Sequence, residues 1–264
     1  MTLYLSRARL RAARGEALSA IAPILFSHDP GRQAGQSHRI LWLLFQATPD
    51  AGHDPDWRRS DEGFLWRDES GGNGGAGRYL VLSRQPPSDP HRLFDLETKE
   101  FAPELAVGDR LRFAMRVNPV RTTKRAGTKP GQDGRSRGTR VDVVMDALKA
   151  VPRTDYDTRT GRAFERDRIA FEAGSAWLAG QGASHGFRLD DEPVLAIESY
   201  TQIDVPRARS PGTRGRPAGF GILDMSGEIT ITDPAAFLSK LPLGFGSAKA
   251  FGCGLMLIRR APPS

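Results

Sequence analysis

Residues 2–10, Thr-Leu-Tyr-Leu-Ser-Arg-Ala-Arg-Leu, alternate with the two-residue period of a strand, placing Leu3, Leu5, Arg7 and Arg9 on one face and Tyr4, Ser6, Ala8 and Leu10 on the other. The spacing of Ile40, Leu41, Leu44 and Phe45 predicts a helix over about 38–46, with Ser37 as its N-cap. Strands are predicted at 63–68 and 78–84, joined by the flexible run Gly71-Gly72-Asn73-Gly74-Gly75, and a short helix is expected near 89–96. Residues 109–118 alternate strictly: Leu111, Phe113, Met115 and Val117 point one way and Arg110, Arg112 and Arg116 the other, a half-buried strand with one basic face that Pro119 ends.

The second half opens with helices at 141–150 and 164–179, the latter anchored by Phe164, Phe171, Trp177 and Leu178. Strands at 194–205 and 218–232 follow, then a helix to Lys240 with Asp233 as N-cap and Pro234 in its first turn. A glycine-rich turn, 244–254, and a last strand, 255–259, close the chain. Both halves suit α+β domains with antiparallel sheets on the split βαβ plan, which RNA-recognition domains share. The expected organisation is an N-terminal domain at 1–120, a basic flexible linker at 121–140, and a C-terminal domain at 141–264. The linker holds seven Lys/Arg (Arg121, Lys124, Arg125, Lys129, Arg135, Arg137, Arg140) against Asp133 alone, and a solvated surface loop is its plainer reading.

Composition narrows the class. The 264 residues carry 38 Lys+Arg against 31 Asp+Glu, a net charge of +7 that favours an anionic partner, most simply nucleic acid. With 39% hydrophobic residues the chain can bury a core. No apolar run is long enough to span a bilayer and the N-terminus does not read as a signal peptide, so a cytoplasmic protein without a membrane partner is expected. The single cysteine, Cys253, excludes an internal disulfide framework and a cysteine-based zinc cluster.

The candidate chemistry is sparse. The five histidines, His28, His38, His53, His91 and His185, include no pair with metal-ligand spacing on one helix face, so neither a metal nor a cofactor is expected. His38 lies at the predicted start of an apolar helix beside Arg39, where it can face a bound anion and exchange protons near neutral pH; a solvated capping role is the alternative. No Gly-x-Ser-x-Gly elbow supports a serine hydrolase. The run Asp190-Asp191-Glu192 reads as a solvated turn. The glycine-rich turn is neither a Walker A loop nor a dinucleotide fingerprint. It suits close backbone approach to something flat or anionic, with Ser247 and Lys249 beside it, or a tight turn against the neighbouring domain.

Five segments occur in order: the opening Leu-Tyr-Leu-Ser strand; His38-Arg39 leading Leu41-Trp42-Leu43-Leu44-Phe45; Arg116-Val-Asn118-Pro119-Val; Ala176-Trp177-Leu178; and Gly244-Phe-Gly246-Ser-Ala-Lys249-Ala-Phe-Gly252-Cys-Gly254-Leu255. Together they resemble the CasE family, the CRISPR-repeat endoribonucleases of type I-E systems, over nearly the whole chain. The resemblance implies two tandem ferredoxin-like domains and metal-free cutting of a CRISPR transcript at the base of each repeat stem-loop. It also implies that the enzyme stays bound to the product as a subunit of the Cascade complex. The family's catalytic histidine matches His38. Some relatives carry a tyrosine three positions earlier, which here is Gly35, so that role is not carried over. A basic hairpin of the family's second domain enters the RNA major groove, and Arg207, Arg209, Arg214 and Arg216 occupy the comparable connection.

The chemistry of such a reaction fits these residue types. When the RNA 2′-hydroxyl is the nucleophile, a 2′,3′-cyclic phosphate and a 5′-hydroxyl result, and the reaction needs a group that moves protons near pH 7 and cations that offset phosphorane charge. His38 is assigned to proton transfer, as base or acid, with Arg39 as the first phosphate contact. Arg207, Arg209, Arg214, Arg216, Arg116, Ser247 and Lys249 are expected to bind RNA. A non-catalytic RNA-binding subunit of the same kind of complex is the alternative, and it would not need His38. An unrelated basic binding protein would require all five segments to coincide by chance.

Overall fold

The computed structural model describes residues 2–11, 30–45, 63–70, 77–123, 138–151, 159–191, 194–205 and 218–262. The first unit runs β1 (Leu3–Leu10), α1 (Pro30–Leu41) with a 3-10 turn at Trp42–Phe45, β2 (Leu65–Asp68), β3 (Arg78–Ser83) and β4 (Phe94–Phe101). Its sheet has the order β2-β3-β1-β4 with every ladder antiparallel, the ferredoxin-like order.

The crossover from β3 to β4 contains no helix, which corrects the expectation near 89–96. There the Asp89 carboxylate accepts the N–H groups of Leu93 (3.0 Å) and Phe94 (2.7 Å), closing a turn. Phe94 and Leu96 then face the core, while Asp95 and Glu97 on the other face meet Arg11 (2.8 Å) and Arg7 (3.4 Å).

The second unit contains β5 (Arg110–Val117), β6 (Val120–Thr123), β7 (Thr139–Asp142), α2 (Val143–Ala150), α3 (Arg159–His185), β8 (Phe187–Arg188), β9 (Leu195–Val205), β10 (Ala218–Ile231), α4 (Pro234–Lys240) and β11 (Met256–Arg260). Its main sheet is ordered β11-β5-β10, with both β8 and β9 pairing β10, again wholly antiparallel. Strand β5, grouped by chain order with the first half, is therefore the first strand of the second unit. The first sheet ends at Phe101 and the second begins at Arg110. The basic stretch 121–140 consequently does not join the two units. Its ends pair as β6 and β7, Val120 opposite Asp142 and Thr123 opposite Thr139, a ribbon inside the second unit. Residues 124–137 lie outside the described residues.

Three apolar clusters result from the alternation. Ala8, Tyr79, Val81, Trp66 and Phe94 meet Leu41 and Leu44 beneath α1. Leu111, Phe113, Met115, Leu223, Met225 and Ile229 meet α2, α3 and α4 in the second unit. Leu3, Leu65 and Leu82 use the opposite face of the first sheet to meet Leu255, with Leu5, Phe101 and Leu257 at their margin, so this third cluster joins the two units. Within α3 the buried stripe is Ala170, Gly174, Leu178 and Gly182, spaced four apart. Phe164 and Phe171, expected as anchors, lie off that stripe and are 72% and 41% exposed.

Candidate functional site

Helix α1 begins at Pro30, not at Ser37, so His38 and Arg39 stand in its last turn. Ser37 is buried within the helix, and its hydroxyl lies 3.0 Å from the Tyr79 hydroxyl of β3. That hydrogen bond fixes the rotation of α1 on the sheet. His38 then packs against Phe64 and Trp42, with ring centroids at 5.5 Å and 5.8 Å. A helix C-terminus ordinarily favours a cation. Here burial decides, and it pushes the His38 pKa below its ordinary 6.5 by penalising the imidazolium. The imidazole is therefore predominantly neutral at pH 7, the form that accepts a proton. Arg39 is exposed beside it.

The glycine-rich loop is built against both units, as the tight-turn reading expected. Gly246, at φ +69°, leaves its Cβ position only 2.4 Å from the Asn118 carbonyl, and Gly252, at φ +78°, lies 3.3 Å from the Trp66 ring of β2 in the same measure. Asn118 accepts the Ser247 N–H (3.1 Å) and donates from Nδ2 to the Gly221 carbonyl (2.7 Å), tying the loop to β10. The 3-10 turn Lys249–Phe251 packs against α1, which brings the helix of His38 beside the turn of Lys249. Arg140 Nη1, from β7, lies 3.5 Å from the Ser247 hydroxyl. Ser247, Lys249 and Arg140 thus gather at one loop.

Arg116 has a partner of its own. Its Nε and Nη2 both donate to the Asp224 carboxylate at 2.9 Å, a bidentate pair that braces β5 to β10. Its carbonyl accepts the Gly254 N–H at 2.8 Å, holding the end of the glycine-rich loop. Arg207, Arg209, Arg214 and Arg216 lie outside the described residues, between β9 and β10. The sequence pattern missed Tyr79, Phe64 and Phe251 around α1, because the alternation of the predicted strands at 63–68 and 78–84 does not say which helix packs on them, and Phe251 sits in a turn without periodicity. Among the described residues no three His, Cys, Asp or Glu side chains gather as a metal site, and no helix is long and apolar enough to cross a membrane.

Two ferredoxin-like units in tandem, a half-buried histidine at the end of the first helix and a glycine-rich loop wedged between the sheets define the class of protein. The chain belongs to the family described as CRISPR associated protein, whose model matches residues 3–260. It is 23% identical over 237 residues to the CRISPR system Cascade subunit CasE of Escherichia coli, a match covering 89% of this chain and 96% of that one. It is 27% identical over 163 residues to the CRISPR-associated endoribonuclease Cse3 of Thermus thermophilus, covering 61% and 60% of the two chains. The solved structure of Thermus thermophilus Cse3 bound to an RNA representing a pre-cleavage complex shares the fold, with a TM-score of 0.60 at 23% identity and 99% and 100% of the chains covered.

Proposed function

We propose that this protein is the endoribonuclease that matures CRISPR transcripts, cutting at the base of each repeat stem-loop and keeping the product as part of a type I-E Cascade complex in the cytoplasm. His38 takes the proton of the 2′-hydroxyl as the neutral imidazole, or as the imidazolium gives a proton to the departing 5′-oxygen, the other proton being exchanged with water. The 2′-oxygen bonds to phosphorus, the bond from phosphorus to the 5′-oxygen breaks, and that oxygen leaves as a hydroxyl. Arg39 and Lys249 offset charge on the phosphorane, and Ser247 contacts the backbone beside them. Arg116 acts through the loop that it braces. The arm bearing Arg207, Arg209, Arg214 and Arg216 holds the stem. In this reading the first domain ends between Phe101 and Arg110, and the second provides the RNA-holding elements.

The observation carrying this reading is the match to a CRISPR-associated family over residues 3–260, with a half-buried histidine at the end of the first helix. The test is incubation of the purified protein with repeat RNA from its own genome in EDTA, followed by analysis of the product ends. Cleavage equal to that in Mg²⁺ at matched ionic strength, with 2′,3′-cyclic phosphate ends, is expected. His38→Ala is expected to lose at least about 10²-fold in single-turnover rate while hairpin affinity stays within a few-fold. A divalent-ion requirement with 3′-hydroxyl ends refutes the mechanism. Tight hairpin binding with no cleavage by the wild type favours the non-catalytic subunit.

A further inference from the structure

We infer that Phe251 is a positioning residue for the cleavage proposed above: it seats the helix of His38 against the strand pair that carries the arginine arm. Two contacts support this. The Phe251 ring packs on Phe220, with centroids 5.1 Å apart and planes tilted by 52°. Phe220 lies on β10 just past the arm at 206–217. The opposite contact is to α1, where Phe251 Cε1 lies 4.0 Å from the point at which a Gly35 side chain would begin. Gly35 and His38 are three residues apart, so they share one helix face and His38 follows one turn later.

Phe251 is itself held on a fixed base. Its N–H donates to the Ala248 carbonyl at 2.9 Å, and Ala248 adopts a left-handed conformation at φ 57°. On its other side Gly252 rests on Trp66 of the first sheet. The ring thus sits between strand β10 and the helix that carries His38. The Phe251 side chain has no group for acid–base work, so its contribution is geometric. A displacement of about 1 Å at a reacting group can cost about 10²-fold in rate.

Phe251→Ala is expected to lower the single-turnover rate at saturating repeat RNA by about 10–100-fold, with product-hairpin affinity within about threefold. Phe251→Tyr, which keeps the ring, is expected to restore the rate to within about threefold. Gly35→Leu attacks the same contact from the helix side and is expected to lower the rate with affinity unchanged. It serves as the deciding variant if Phe251→Ala fails to fold. Gly35→Ala, for which there is room, is expected to cut as wild type. A wild-type rate in Phe251→Ala or in Gly35→Leu, or a loss that lies in affinity alone, overturns the inference. His38→Ala in parallel separates the two levels: if it cuts normally, the functional reading fails; if it is inactive while Phe251→Ala is fully active, only the present inference fails.

Discussion

Trp42→Ala uncovers one face of the His38 imidazole and so tests what its burial does. The two rings are 5.8 Å apart, and Phe64 covers another side at 5.5 Å. An imidazole at its ordinary pKa of 6.5 is about three-quarters neutral at pH 7, and the burial of His38 raises that share. If neutral His38 acts as base, the single-turnover rate at saturating RNA is flat above pH 6.5. It falls about tenfold per pH unit below an inflection that itself lies under 6.5. Water admitted in Trp42→Ala moves that inflection up towards 6.5, while the rate at pH 8 stays within a few-fold. A rate that instead falls as pH rises through the same inflection assigns His38 the acid role. Acid–base catalysis of the kind proposed for His38 is typically worth about 10²–10⁴-fold in rate, or about 3–5 kcal/mol of barrier. Stability carries the same sign. A histidine with a depressed pKa favours the folded state fully above pH 6.5 and loses that contribution as pH falls through its folded pKa. His185, lowered by burial and then by Lys240, adds to the acid loss. A wild-type inflection at or above 6.5, or one that Trp42→Ala does not move, refutes the burial argument.

Glycine-to-alanine changes at two positions are expected to have opposite signs. Gly35→Ala, mid-helix with room for a methyl group, stabilises by about 0.5–1 kcal/mol, whereas Gly246→Ala, at φ +69° with its Cβ 2.4 Å from a carbonyl, destabilises by at least about 1–3 kcal/mol; chemical denaturation of both variants reads the difference. Leu255→Ala removes a side chain that is 1% exposed from the cluster joining the two sheets and should cost about 2–5 kcal/mol by the same measurement. Replacing Arg207, Arg209, Arg214 and Arg216 by Ala should weaken hairpin binding and flatten its log–log salt slope by about two to four units. An unchanged slope, titrated at several salt concentrations, removes the arm from the RNA site.

The local patterns that proved legible were those in which one face is buried and the other wet. The strands β1 and β5 and the start of α4 at its Asp233 cap follow from alternation or capping chemistry within their own residues. The start of α1 was not legible, because Pro30 to Ser37 carries no apolar stripe; that segment is helical where it packs against the 3-10 turn at Lys249–Phe251 and strand β9. Strand β4 was hidden because its outward face is charged, and those charges make sense only opposite Arg7 and Arg11.

His38 was singled out by its residue type, its neighbour Arg39 and the family resemblance, but part of what buries it lies outside its own segment. A helix start would have held it by the dipole, whereas Phe64 and Trp42 hold it by burial, and Phe64 comes from a stretch far along the chain. The same division applies to the domains. The sequence by itself determined two antiparallel α+β halves, because period-two alternation and caps are properties of neighbouring residues. Only the tertiary structure decided that β5 belongs with β10 and β11, since strand partners are chosen by ladder hydrogen bonds and shared cores between residues more than a hundred positions apart.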